Sequence, residues 1–357
     1  MDATEQFLKE ITEVPGLPGY EGEVRAVLRR ALEGVASEIS QDHLGSVIAT
    51  LPGTAERPRI MLPGHMDEVG FMVRFVTENG FIRFVQLGGW WDQVLLAQQV
   101  VIKTAKGDVV GVIGAKPPHM LKEEERKTVV EKDAMYIDVG VTSRAEVEAL
   151  GVRVGDPIIP RTSFTILANG KTYLSKAWDD RVGVATFVEA MRALAGQPHP
   201  NTVYGVGTVQ EEVGLRGART SGWTVDPDVV LVMEVGLAGD VPDMKPEEGQ
   251  TKLGGGAALL AYDSSMIPNL RLRDLALETA EAAGIPYQMD VLPRGGTDGG
   301  PIHQERSGVP GLVIGVPTRH IHSHQGIIQR SDFDATVRLV VELVKRLDAK
   351  TVAGLTQ

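Results

Sequence analysis

The chain has 357 residues, of which 43% are hydrophobic and 23% charged, a length comfortable for two domains and too long for one small core. Its formal charge of -11 disfavours nonspecific binding to nucleic acid or to anionic membranes. It has no Cys, which excludes disulfides, thiolate metal ligands and a Cys nucleophile. Any metal site must therefore be built from His, Asp and Glu. The longest apolar runs fall far short of the ~20 residues of a membrane span. The N-terminal MDATEQFLKEITEV is acidic and lacks a long apolar core, unlike a secretory signal, so the expected location is cytoplasmic.

Residues 5–35 read as helix interrupted by the Pro/Gly turn PGLPGYEG, with EVRAVLRRALEGVA apolar at helical spacing. GSVIATL and RIMLPGHMDEVGFMV read as strands, the second nearly all apolar before Gly64, as in a strand buried on both faces. From about Gly70 to Phe164 the character changes to short Val- and Ile-rich runs separated by Gly turns, which predicts a small β-barrel or sandwich. Within it, LKEEERKTVVEKDA reads as an exposed charged loop. After Ala168, strands and helices alternate again: DDRVGVATFVEAMRALAG as helix, NTVYGVGTVQ and DVVLVMEVG as buried strands, RLRDLALETAEAAGI as an amphipathic helix. YQMDVLP and GLVIGVP follow as strands. A last helix, SDFDATVRLVVELVKRL, has Ser331 or Asp332 as its expected N-cap. The expected fold is α/β, a mostly parallel sheet flanked by helices, assembled from residues 1–69 and 165–357, with residues 70–164 inserted as a β-rich domain.

The polar residues that stand out share a placement. His65 and Asp67 form H-x-D directly after an apolar strand, where a carboxylate beside a metal-bound imidazole fixes its tautomer. A surface histidine near a turn would leave the same trace. Asp179 and Asp180 open a helix; capping, or neutralisation by Arg181, explains one of the two but not both. Glu211 and Glu212 follow the apolar VYGVGTV, at the strand end where open α/β sheets bind ligands. Glu234 ends VVLVME, an expensive position for an acid that is neither paired nor coordinated. His320, His322 and His324 hold three of the eight histidines, and an extended segment would face them to one side. Hard oxygen and nitrogen donors without thiolate suit a pair of Zn²⁺, Co²⁺ or Mn²⁺ ions.

GHMDEVG, KAWDDRVG, VQEEVGLRGA, RGGTDGGPI and PTRHIHSH occur in the order seen in TET-type dinuclear metallo-aminopeptidases, the glutamyl or deblocking aminopeptidase family, some of whose members carry an endoglucanase label. The resemblance spans almost the whole chain. It implies that His65, Asp179, Glu212, Glu234 and His322 hold two divalent ions, Asp179 bridging them, with Zn²⁺ or Co²⁺ foremost and Mn²⁺ also suited. It implies that Glu211 is the general base, that Asp67 orients His65, and that Asp179 and Asp180 are joined by a cis peptide. Glu234 departs from the more usual Asp by one methylene, and His324 stands where relatives often carry Pro. Thr297 and Asp298 match a loop near the active site, with no chemical step assigned to them. The resemblance further implies that the insert is a dimerisation domain and that dimers build a dodecamer. The function so implied is removal of N-terminal residues from short peptides. The rivals are an N-acyl amino-acid or peptide amidohydrolase at the same centre, a β-glucanase, and a metal-free scaffold. The histidines and the 5% aromatic content speak against the glucanase, and the full ligand set against the scaffold.

Overall fold

The computed structural model of the chain describes residues 1–245 and 247–357. Helix α1 (Ala3–Glu13) begins with a capping box: Asp2 accepts from the Glu5 backbone and Glu5 accepts from that of Asp2. The Pro/Gly turn separates it from α2 (Gly22–Leu32), which buries Val24, Val27, Leu28 and Leu32. Strands β1 (Glu38–Gln41), β2 (Val47–Leu51) and β3 (Arg59–His65) start the main sheet. The chain then leaves it for β4 (Gly70–Val76), β5 (Ile82–Leu87), β6 (Gln99–Thr104), β7 (Gly107–Gly114), β8 (Tyr136–Asp138) and β9 (Pro157–Pro160). These six close a barrel in the order β4-β5-β8-β7-β6-β9 around Phe71, Ile82, Ile102, Ile137 and Ile158. Closure leaves the barrel no free edge. The charged run predicted as a loop carries a short helix, α3 (Glu123–Arg126), and a 3-10 turn at Lys132–Ala134, neither with a buried residue; α4 (Arg144–Ala149) packs Val147 into the barrel core.

The chain returns through β10 (Thr165–Ile166) and β11 (Thr172–Ser175) to the long helix α5 (Trp178–Leu194). Then come β12 (Thr202–Thr208), α6 (Arg216–Val225), β13 (Val229–Leu237), β14 (Ala257–Asp263), α7 (Leu270–Ala282) and β15 (Tyr287–Leu292). The chain ends with α8 (Gly299–Ile302), β16 (Gly311–Arg319), β17 (Gly326–Gln329), α9 (Arg330–Arg346) and α10 (Ala349–Gly354). The main sheet has eleven strands, with β12, β3, β13 and β16 side by side and parallel at its centre. Its flanks, β1 and β2 on one side and β17, β11 and β10 on the other, are antiparallel. The central strands are buried along nearly their whole length, which explains their unbroken apolar sequences. Among the described residues, no helix is long and apolar enough to cross a membrane.

Two local expectations are corrected. Helix α9 is capped by neither Ser331 nor Asp332: its N-cap is Gln329, and Asp332 accepts hydrogen bonds from Gly254 N (2.7 Å) and Gly256 N (2.9 Å). Glu234 does not end its strand, because β13 continues through Val235, Gly236 and Leu237 in register with Val316, Pro317 and Thr318.

Candidate metal centre

The four parallel strands bring their carboxyl ends together, and the polar residues singled out in the sequence meet there. His65 is the last residue of β3, Glu211 and Glu212 follow β12, and Glu234 lies in the last part of β13. His322 follows β16, and Asp179 stands at the start of α5 beneath them. Both oxygens of Asp179 are engaged, each by a different imidazole: Oδ1 lies 3.0 Å from His65 Nε2, and Oδ2 lies 3.4 Å from His322 Nε2. Three groups of donor atoms are close enough to share a cation: His65 with Asp179 and Glu234, Asp179 with Glu212 and His322, and His65 with Glu211 and Glu212. The first two share only Asp179 and together use all five predicted ligands. Glu211, 3.7 Å from His65 Nε2, takes one partner from each of them.

The neighbours of these side chains fix their direction. His65 Nδ1 donates to the Asp67 backbone carbonyl at 3.0 Å, which leaves Nε2 free to ligate. The Asp67 carboxylate is 3.8 Å from that ring, and its hydrogen bonds go elsewhere: Oδ1 accepts from Glu211 N and Oδ2 from Glu212 N, both at 3.0 Å. Asp67 therefore orients His65 through its main chain and aims the glutamate pair through its side chain. Asp180 likewise accepts from His65 N (3.1 Å) and Gly183 N (3.0 Å). A Cβ on Gly183 would lie 2.4 Å from that carboxylate, so glycine is what lets the helix seat it. The Asp179–Asp180 peptide is cis. Asp180, with non-helical backbone, caps the regular helix that begins at Arg181 through its bond from Gly183 N, so capping accounts for one of the two aspartates and leaves Asp179 to the centre. Arg181 turns away from both, toward the carbonyls of Ile11, Val14 and Gly16 and the carboxylate of Glu68.

Sequence reading alone missed the partner of His322. Its Nδ1 donates to the carbonyl of Gly89 at 2.8 Å, on the segment between β5 and β6 of the barrel. A Cβ on Gly89 would come within 3.0 Å of that nitrogen. Nothing local to GGWW announces this contact. The three histidines of the 320–324 segment also do not share a face. The backbone is not extended but left-handed at His320 (φ 60°) and His322 (φ 53°), so the rings diverge. His320 is exposed, and His324 is buried against Trp90 with both ring nitrogens unpartnered among the described residues. Asp298 is buried, accepts from the Thr208 hydroxyl and leaves Oδ1 without a partner among the described residues, while Thr297 donates to Asp263.

The electrostatics of the centre are those of negative charge without enough compensation. Burial pushes the carboxyls of Glu211, Glu234 and Asp180 well above the usual range, and neighbouring carboxylates add to it. Burial and the charge of Asp179 raise Glu212 to about 8, and burial raises Asp298 to about 6. For His322, burial works downward, but the hydrogen bond to Asp179 and the charge of Glu212 outweigh it and push the ring up to about 10. Asp179 runs the other way: burial would raise it, yet bonds from His322 and His65 hold it well below its ordinary value. Glu212 Oε1 is buried with no hydrogen-bond partner among the described residues. The donor set is all imidazole and carboxylate, its nitrogens are turned inward, and its two glutamates resist ionisation without a cation. These residues fit divalent metal. Above them opens a cavity of about 500 Å³, with Leu215, Val235, Leu237, Leu292 and Ile321 on its walls and Arg294 at its rim.

Comparison with known proteins gives the family. The family model described as M42 glutamyl aminopeptidase matches residues 45–339, and a model described as AMPT matches residues 2–28. The chain is 38% identical to the putative aminopeptidase FrvX of Escherichia coli, over 99% of this chain and 98% of that one. It is 35% identical to the lysyl aminopeptidase of Pyrococcus furiosus (96% and 97% covered) and 35% identical to the glutamyl aminopeptidase of Lactococcus lactis (97% and 97%). Among solved structures it resembles the TET aminopeptidase of a marine-sediment Thaumarchaeota archaeon, at 50% identity and TM-score 0.97, covering 99% of this chain and 98% of that one. It also resembles the TET1 peptidase of Pyrococcus horikoshii, at 32% identity and TM-score 0.87 (97% and 100%), a protein described as assembling into a tetrahedron or a large octahedral shell.

Proposed function

The chain belongs to the M42 glutamyl aminopeptidase family, and from that premise we propose that it is a two-metal aminopeptidase that removes N-terminal residues from short peptides. The observation that carries the reading is the doubly engaged Asp179, whose two oxygens face His65 and His322 and so tie two three-residue donor sets together. His65, Asp179 and Glu234 would hold one ion, and Asp179, Glu212 and His322 the other. Bound there, two divalent cations, with Zn²⁺ and Co²⁺ foremost and Mn²⁺ also suited, supply Lewis acidity toward a water and toward the scissile carbonyl.

The rest falls to the chain's own groups. Glu211 belongs to neither of the donor sets joined by Asp179, yet lies against one ligand of each, which supports the role of base for it. It takes the proton of the attacking water at its carboxylate and hands it to the departing amine. Asp67 holds the backbone of Glu211 and Glu212 and so keeps the base in register with the ligands. The buried carboxylates favour a substrate that arrives with a free, protonated amine, which is the mark of an exopeptidase acting from the N-terminus. The apolar walls around the centre exclude water from the bond being broken. We assign residues 1–69 and 165–357 to catalysis and the barrel of residues 70–164 to pairing between copies. We further assign a homo-oligomer built from dimers, a dodecamer, and a cytoplasmic setting; the support for the assembly is the TET1 peptidase of Pyrococcus horikoshii, described as a dodecamer and as assembling into a tetrahedron.

The test is hydrolysis of a panel of unblocked aminoacyl-anilides by chelated protein, with Zn²⁺, Co²⁺ and Mn²⁺ returned singly. Activity lost on chelation and regained with metal is expected. Cleavage of N-acylated amino acids in place of free-amine substrates would turn the assignment to an amidohydrolase.

A further inference from the structure

A second cavity, of about 660 Å³, adjoins the catalytic one and shares Gly89, Ile321 and His322 with it. Its walls come from two segments far apart in sequence: the strap between β5 and β6, and the 320–325 loop. They differ in character from the catalytic cavity. Trp90, Trp91, Val94 and Leu96 give it an apolar wall beside the neutral amides of Gln93, Gln98 and Gln325, and among the described residues lining it there is no Asp, Glu, Lys or Arg. Trp90 is pinned, stacked on Phe71 at 4.8 Å and tilted against His324 at 5.2 Å. Trp91 is 62% exposed, a large apolar surface held at the rim with nothing packed over it.

We infer that this cavity receives the side chain of the residue that follows the scissile bond, and that the enzyme prefers peptides whose second residue is large and apolar or aromatic. The inference rests on the aminopeptidase reading above. Its support is geometric. The two cavities meet at His322, so a peptide lying across the centre places its first residue in one and its leaving portion in the other. A neutral, aromatic-walled cavity rewards burial of an apolar side chain and leaves a buried charge unpaired. Two short segments frame it, so it is a preformed concave site rather than a patch on a convex surface.

The experiment uses metal-loaded, full-length protein and dipeptides that share one N-terminal residue and carry Gly, Ala, Leu, Phe, Trp or Lys second. The corresponding amino-acid amide, whose leaving group is ammonia, serves as reference. From Gly to Phe or Trp, kcat/KM should rise about 10- to 100-fold relative to the amide, and Lys should fall below Leu. Trp91→Ala should flatten the series by lowering the ratio of Phe-dipeptide to amide turnover. Val94→Glu should invert it toward Lys. A flat series in the wild-type enzyme, with amides cleaved normally, overturns the inference and leaves the aminopeptidase reading intact. So does a Trp91→Ala protein that changes its assembly state by light scattering yet keeps the wild-type series, because the cavity is then an interface between copies. Failure to cleave amides and dipeptides alike, with metal bound, is a different result and strikes the aminopeptidase reading itself.

Discussion

Two clusters of buried charge lie within a few residues of each other in sequence, and the chain treats them in opposite ways. Glu68, next to Asp67, is 1% exposed and fully answered. Lys176 Nζ reaches its two oxygens at 2.6 and 2.8 Å, Arg181 stands at 3.4 Å, and Gly16 N donates at 3.2 Å. The carboxylates of the metal centre have no such answer: among the described residues, two imidazoles face Asp179, Glu211, Glu212 and Glu234. Burying an unpaired carboxylate is strongly unfavourable. A fold that can place a lysine and an arginine on one buried glutamate, and leaves several others a short way off without them, reserves that second place for cations it does not itself encode.

Removing metal should break the comparison most visibly. Chelation is expected to abolish turnover and to lower stability by about 4 kcal/mol where free metal had stood a thousandfold above its Kd. Turnover and thermal melting, read with and without metal return, check both. Next in size is Glu211→Gln, which should lower kcat by about 10²- to 10⁴-fold while metal content and melting temperature hold. A variant with near-wild-type turnover would falsify the role given to Glu211. The satisfied cluster is sharpened by Lys176→Met, which leaves Glu68 one cation short and should cost about 3–5 kcal/mol in denaturant unfolding at fixed protein concentration. Glu68→Gln combined with Lys176→Met should recover much of that loss, and additive losses would show that the pair does not act as one.

The smallest effect belongs to His324, which burial lowers to about 4 from an ordinary 6.5. Below pH 6.5 the unfolded chain takes up this proton before the folded one does. Stability present above that pH is therefore lost as pH falls toward 4, by about 1.4 kcal/mol per pH unit from this group. His324→Phe keeps a ring against Trp90 without the unpartnered nitrogens. The difference between wild type and variant across that window should show the slope, and equal slopes would remove His324 as its source.

The sequence carries the site well where the signal is local. An apolar run that stops at His65, or at Glu211 and Glu212, marks the carboxyl end of a buried strand, and the fold gathers those ends in one place. It carries less where the cause lies far along the chain. Glu234 reads as a strand end because the Gly that follows resembles a stop, whereas pairing with Val316 and Pro317 extends the strand past it. His320, His322 and His324 read as an alternating face because the left-handed turns at two of them leave no mark in residue type. Asp332 reads as a cap, yet the 254–256 loop claims its oxygens first. Asp67 reads as the carboxylate partner of His65, and only the backbone geometry shows that its main chain and its side chain serve different residues.

The hydrogen bond from His322 to Gly89 joins the two halves of the molecule at a single imidazole. One nitrogen of that ring belongs to the ligand set and the other to a strap anchored in the barrel. Holding the ring from the barrel side readies its free nitrogen for a cation, and a cation on that nitrogen strengthens the ring as a donor toward the barrel side. By linkage the two events share one coupling constant: whatever factor the seated strap adds to cation affinity, the cation adds to the seating of the strap. Loading and docking are then two readings of a single equilibrium.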